Sequence, residues 1–115
     1  MNSIHSRLQA AKTLPSLVEA CTQAADVVKF TIEGSHGCVL LSLWARYPSG
    51  VVVEHVHRFR TDARQQLVVF FTDNFDRKKR LPLVQVLSQQ FTRAWVARFF
   101  NVSGATITSD LKTFE

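Results

Sequence analysis

The change of hydrophobic period at Val27 constrains the fold of this chain more than any other feature. Before this residue, apolar side chains recur at helical spacing. After it they alternate with polar ones, as in a half-exposed strand. Short connections marked by turn residues separate four strand-like segments. Because parallel pairing needs a long crossover, the short connections predict an antiparallel meander.

The four segments differ in how their apolar residues are distributed. The first shows the clearest alternation, and the second is a nearly continuous apolar run. The fourth is apolar on both faces, which predicts a central place in the sheet. The predicted strands are Val27–Glu33, Cys38–Trp44, Val51–Arg60 and Leu67–Thr72.

Helical periodicity occurs on both sides of the strands. Residues Ile4–Ala25 predict a helix with a break near Pro15, and a long helix is predicted from Pro82 to Phe100 with Trp95 in its apolar face. Ser103 and Gly104 are expected to end it, leaving residues 102–115 as a partly ordered tail. The resulting order is α-β-β-β-β-α. It predicts one α+β domain over residues 1–115, a two-layer sandwich with one sheet face open.

Composition limits the classes of protein to which the chain can belong. Fourteen Lys and Arg residues against nine Asp and Glu give a net charge of +5, which favours polyanions or an acidic neighbouring protein. Two cysteines do not form a disulfide framework. No apolar run approaches the roughly 20 residues of a membrane span, and no long apolar segment stands at the N-terminus. We therefore expect a cytoplasmic protein.

Basic residues are the strongest candidate for a binding function. Four consecutive cations precede the last predicted helix, where a helix N-terminus favours anions. Further arginines lie on the third strand and near its connections. They predict a phosphate or RNA-backbone contact; the alternatives are a solvated loop and scattered solubilising charge. The candidate nucleic-acid-binding residues are Arg46, Arg58, Arg60, Arg64, Arg77, Lys78, Lys79 and Arg80. Replacing the last four with Ser is expected to leave the fold intact and to weaken RNA binding.

Other chemistry-bearing residues are few. His55 and His57 share one strand face, with Cys38 as a neighbour if it lies on the adjoining strand, but zinc needs three or four ligands and packing at a sheet edge is favoured. Trp44 and Phe59 are candidates for stacking or docking. The sequence contains no glycine-rich phosphate loop and no nucleophile elbow. We expect no enzyme, no cofactor and no metal.

Two segments resemble the Alu-domain subunits of the signal recognition particle. They are Ala25–Phe30, after the first helix, and Val69–Asp73 leading through Asp76–Lys79 into the last. The resemblance covers most of the chain and implies a subunit that pairs with a second one into a sheet that grips folded RNA. That family has three strands, whereas this chain has four predicted strands.

A second resemblance covers roughly the last 70 residues. Tyr47-Pro48, the segment Leu67–Asp73, the long helix and the tail around Phe99–Asn101 and Ile107–Ser109 are similar to the C-terminal half of longin-like subunits of vesicle-tethering complexes. This resemblance implies a protein-interaction module without catalytic residues. The N-terminal hairpin of that family is missing here.

The sequence therefore predicts a non-catalytic binding subunit. RNA binding in a ribonucleoprotein is the first expectation, and a longin-like assembly subunit of a multiprotein complex is the alternative. In both cases open sheet faces and edges need cover, which predicts a homo- or hetero-oligomer.

Overall fold

A computed structural model of the protein describes residues 4–71 and 76–115. They divide between two compact units, residues 1–71 (the first unit) and 72–115 (the second unit). The single domain predicted over residues 1–115 stays a prediction, since compact units of this size can be parts of one domain. In the described part of the chain, every helix is too short or too polar to cross a bilayer.

The first unit, described from residue 4 to 71, contains two helices followed by a four-stranded antiparallel sheet. The strands lie in the order of the chain, and the sheet curls into a half-barrel. The α+β class and the antiparallel meander are thus confirmed. The elements are α1 (Ile4–Ala10), α2 (Leu14–Gln23), β1 (Val27–Ser35), β2 (Cys38–Arg46), β3 (Val52–Thr61) and β4 (Leu67–Phe71). The predicted end of the fourth strand at Thr72 lies outside the described residues.

The turn between β1 and β2 shows why the register is fixed. His36 and Gly37 both have positive φ angles, 54° and 75°, as a tight two-residue hairpin of the primed type requires. A Cβ atom on Gly37 would lie 2.9 Å from the backbone oxygen of Thr61. The turn therefore depends on glycine both for its backbone conformation and for space.

Strand β2 forms the centre of the sheet. On one side Leu41 and Leu43 belong to the core cluster with Phe59 of β3, and we call this side the core face. On the second face, Leu40 and Ser42 are also buried. The prediction of a sheet with one open face is therefore wrong along its central strand.

The prediction that the fourth strand is central is also wrong. Among the residues that the structure describes, strand β4 pairs only with β3 and lies at an edge of the sheet, and Val68 is largely exposed. At its start the backbone N–H of Leu67 donates to the carbonyl of Lys12, and the N–H of Leu14 donates to the carbonyl of Gln65. The chain between α1 and α2 thus covers the beginning of this edge.

A cap explains why the predicted N-terminal helix is two helices. The hydroxyl of Thr13 accepts the backbone N–H of Ser16, and the side chain of Ser16 accepts the N–H of Thr13. This reciprocal capping box starts a new helix, with Pro15 in its first turn. Leu8 of α1 and Leu17 of α2 are buried in the core face.

Over its described residues, 76–115, the second unit contains three helices: α3 (Arg77–Leu87), α4 (Arg93–Phe100) and α5 (Gly104–Lys112). Thr92 and Ser103 are N-caps of α4 and α5, because their hydroxyls accept backbone N–H groups. The single long helix predicted here is therefore broken, and the tail predicted as partly ordered is mostly helix α5. Pro82 lies inside α3 rather than in its first turn.

Candidate functional site

A cavity of 250 Å³ opens in the first unit between α1 and the strands β2 and β3. Its floor is apolar. Ile4 and Leu8 reach it from α1, and Leu43 and Ala45 from β2. All four side chains are buried and belong to the core cluster. The cavity is therefore a depression in the hydrophobic core at the end of the sheet where β2 turns into β3.

The polar residues of the cavity come mainly from the β2–β3 hairpin. In the register of the two strands, Leu43 is opposite His55 and Leu41 is opposite His57. Alternation along β3 therefore directs both imidazoles to the core face. Asp26, Arg46 and Tyr47 also line the cavity. We call this cavity the histidine pocket.

Tyr47 and His55 form a hydrogen-bonded pair in the histidine pocket. The phenol oxygen of Tyr47 lies 2.7 Å from Nε2 of His55. The ring of His55 is also stacked near that of His57, with centroids 6.4 Å apart. The hairpin produces this pair, because the carbonyl of Val51 accepts the N–H of Tyr47 and brings the tyrosine back alongside β3. The rings of the pair are 6.0 Å apart and tilted.

Cys38 does not lie beside the two histidines. It is opposite Arg60 and occupies the second face of the sheet, whereas His55 and His57 occupy the core face. Cys38 does lie on the adjoining strand, as considered from the sequence, but its position on the opposite face keeps it from joining the histidines as a ligand. Burial raises the pKa of the Cys38 thiol, and the charge and hydrogen bond of Arg60 partly oppose this rise. No group of three or more metal-ligating side chains occurs among the described residues.

The candidate arginines of the first unit are spread along the sheet. Arg46 ends β2 at the hairpin, and Arg64 lies in the connection between β3 and β4. Strand β3 separates these two ends by ten residues, about 30 Å at a rise of roughly 3.3 Å per residue. Arg58 and Arg60 lie between them on the second face and are only half-exposed. Desolvation by burial lowers the pKa of Arg58.

The basic run of the second unit is divided between two roles. Arg80 is buried, and its Nε donates to Asp110 of α5 at 2.6 Å. Arg77 lies 3.5 Å from the same carboxylate and donates to the hydroxyl of Thr113. Lys78 and Lys79 are exposed at the start of α3. The fold thus uses Arg80 inside the unit and leaves Lys78, Lys79 and most of the Arg77 side chain exposed.

Four exposed apolar residues lie at the β2–β3 hairpin, and none of them is among the candidate binding residues predicted from the sequence. Their side chains are between 38% and 57% exposed. Three of them follow one another directly after the Pro-Ser-Gly turn. That run is the signal that could have identified them, since consecutive valines cannot all face the core of a strand. We call these residues the hairpin patch: Tyr47, Val51, Val52 and Val53.

The aromatic candidates have different surroundings. Phe59 is fully buried in the core of the first unit, so its assignment as an exposed stacking residue is wrong. Trp44 is half-buried, with the ammonium of Lys29 4.8 Å from its ring centroid. Trp95 was predicted to be core, but it is half-buried and stacked on Phe91, with centroids 3.8 Å apart.

Comparison with known proteins gives no relative: no protein-family model, no curated protein and no solved structure matches this chain.

Proposed function

We propose that this protein is a non-catalytic protein-interaction subunit and that the hairpin patch contacts its partner. The observation that carries the proposal is the concentration of exposed Tyr47, Val51, Val52 and Val53 at one end of the sheet. These side chains surround the tip of the hairpin, with Val53 on the core face and Val52 on the second face. Single exposed apolar side chains are ordinary, whereas several gathered in one place are typical of interaction surfaces. Tyrosine is also enriched at the centres of protein interfaces.

The charge beside the patch indicates the chemistry of the partner. Arg46 is opposite Val52 in the strand register, so its side chain borders the patch on the second face. Arg46 is exposed, and its positive charge has the same sign as the net charge of the chain. We therefore propose a partner protein that presents apolar side chains next to a carboxylate, which the guanidinium of Arg46 can bind by two hydrogen bonds.

RNA binding is the competing proposal, and the exposed Lys78 and Lys79 favour it. Two observations make it the weaker one. Arg80 is occupied by the carboxylate of Asp110, and the arginines of the first unit are distributed along about 30 Å of sheet instead of meeting on an open face. A longin-like interaction role, which the second resemblance implies, agrees with the proposal.

A site-specific photo-crosslink tests the proposal in the cell of origin. Benzoylphenylalanine is placed at Val52 of the hairpin patch and, as the matched control, at Val18, an equally exposed valine of α2. We expect one protein to crosslink from position 52 and not from position 18. The crosslinked protein is then purified for direct binding measurements.

The second step measures the dissociation constant of that partner for three variants. We expect Val52→Glu to weaken binding at least tenfold, about 1.4 kcal/mol, whereas Val18→Glu leaves it unchanged. Removing the positive charge in Arg46→Gln should weaken it to a lesser degree. If nuclease treatment releases the partner and Lys78→Glu with Lys79→Glu abolishes binding while Val52→Glu does not, the RNA proposal replaces this one.

A further inference from the structure

The histidine pocket has the properties of a binding site for a small molecule. We propose that it binds a small carboxylic acid whose apolar part, an aromatic ring or a branched chain, enters the core end of the pocket. This inference goes beyond the protein-interaction function and does not depend on it. It is carried by the size of the cavity, its apolar floor and the hydrogen-bonding groups of the hairpin.

The volume of the pocket sets the size of the ligand. A dry cavity of about 150 Å³ is sufficient for benzene. The histidine pocket has 250 Å³, so it has space for one ring and a short polar group attached to it. Its volume is below the roughly 300–1,000 Å³ of drug-sized sites. A ligand as large as a nucleotide would extend beyond it.

The floor of the pocket determines which end of the ligand enters first. Leu8, Leu43 and Ala45 present hydrocarbon from two elements, and all three are buried. An apolar group that replaces water above them gains roughly 25 cal/mol for each Å² removed from solvent. A polar group in the same place would lose its hydrogen bonds to water without compensation. The apolar end of the ligand therefore lies against this floor.

The hairpin side of the pocket supplies donors for an anionic head. Tyr47 and His55 share one hydrogen bond. If the phenol donates it, the second imidazole nitrogen of His55 keeps an N–H; if Nε2 donates it, the phenol keeps its O–H. In either tautomer the pair retains one donor. His57 adds a further imidazole beside it. A carboxylate head accepts hydrogen bonds from such groups, and charged acceptors form stronger ones than neutral acceptors.

Asp26 is an acidic residue that lines the pocket and provides a control on the sign of the ligand. Arg46 lines it as well, but the strand register directs its side chain to the second face. Their backbones are joined, because the N–H of Arg46 donates to the carbonyl of Asp26 at 2.7 Å. An anionic ligand should gain affinity when the Asp26 carboxylate is neutralised. A neutral ligand should show no such gain.

The experiment titrates the full-length protein with 3-phenylpropionate and follows the methyl signals of Leu8, Leu43 and Ala45 by NMR. The neutral isostere 3-phenylpropionamide is the control ligand. We expect saturable shifts of these methyl groups with the acid and about tenfold weaker binding of the amide, equivalent to about 1.4 kcal/mol. Tyr47→Phe should reduce the affinity for the acid, and Asp26→Asn should increase it.

The results that would overturn the proposal are specific. Equal affinities for acid and amide would refute the carboxylate assignment. The absence of saturable shifts at millimolar concentration, or shifts confined to residues outside the pocket, would refute the site. A peptide with a C-terminal phenylalanine that binds where the free acid does not would also refute the small molecule as the ligand.

The two proposals fail separately. Tyr47→Phe keeps the apolar surface of the hairpin patch and removes only the hydroxyl, so partner binding should persist while binding of the acid weakens. Val52→Glu should weaken partner binding and leave binding of the acid unchanged, because Val52 does not line the pocket.

Discussion

Removing the carboxylate of Asp110 is the most informative perturbation of the second unit. This side chain is 2% exposed and accepts two hydrogen bonds from Arg80, at 2.6 and 3.3 Å from Nε and Nη2. Arg80 is itself only 8% exposed. The substitution Asp110→Ala therefore leaves a buried guanidinium without this counter-charge. The contact joins α3 to α5, so its loss affects the packing of both helices.

The loss of stability expected for Asp110→Ala follows from the burial of Asp110 and Arg80. Removing one member of a buried ion pair typically costs about 3–5 kcal/mol, because the other charge stays desolvated. Arg77 lies 3.5 Å from the same carboxylate, but its side chain is 60% exposed. Exposed pairs contribute no more than about 1 kcal/mol. We therefore expect most of the loss to come from Arg80, and Arg77→Ala to cost less than about 1 kcal/mol.

Urea denaturation followed by circular dichroism measures these differences in the free energy of unfolding. The double variant Arg80→Met with Asp110→Leu replaces the pair by apolar side chains of similar size. It should recover most of the stability, since such replacements are often neutral or stabilising. A loss below about 1 kcal/mol for Asp110→Ala would show that the pair is not buried in solution.

Two further predictions concern the first unit. Gly37→Ala should destabilise the β1–β2 hairpin by about 1–2 kcal/mol, because φ is 75° and the new methyl group meets the backbone oxygen of Thr61. Thermal unfolding measures this loss of stability. The control is His36→Asn, which should cost nothing because asparagine tolerates the left-handed conformation. Burial raises the pKa of Cys21 to about 11, above about 8.5 for a free thiol. Between these values the unfolded chain has lost a proton that the folded chain keeps, so the free energy of unfolding falls as pH rises and is unaffected below that range. Cys21→Ala should remove this part of the alkaline decrease, and an unchanged slope between pH 8 and 11 in urea titrations would contradict it.

The order of the strands could be predicted from the sequence because it depends on local patterns. Alternation from Val27 and three short connections were sufficient for an antiparallel meander. Which strands are buried on both faces could not be predicted in the same way. The run Leu67–Phe71 contains apolar residues on both faces, yet it lies at an edge, because a meander places its last strand there. Strand β2 also has a continuous apolar run, and it is this strand that is buried on both faces.

The starts of α4 and α5 were missed because a single hydroxyl decides each of them. Thr92 and Ser103 accept a backbone N–H three residues ahead, as Thr13 does at the break that was predicted near Pro15. A threonine or serine within a helical pattern has the same appearance in the sequence whether or not it caps. The apolar periodicity continues across these points, so it predicted fewer and longer helices.

The histidine pocket required information that only the register supplies. Alternation predicted that His55 and His57 share a face, but it did not say which face. The β2–β3 pairing places them with Leu43 on the core face and Cys38 on the other. Tyr47 reaches His55 because the hairpin reverses the chain after β2, and Leu8 reaches the same cavity from a helix. Such convergence depends on tertiary contacts that no local pattern contains.

The basic run shows how helical spacing could have corrected an inference from charge alone. In a helix, residues three apart lie on one face and those between them point elsewhere. Arg77 and Arg80 thus share the side that meets Asp110, while Lys78 and Lys79 do not. Replacing all four residues with Ser would therefore remove the buried pair as well as the exposed charge, and the fold is not expected to stay intact. A test of RNA binding at this helix should change only the two lysines, because then a lost affinity cannot be attributed to a lost fold.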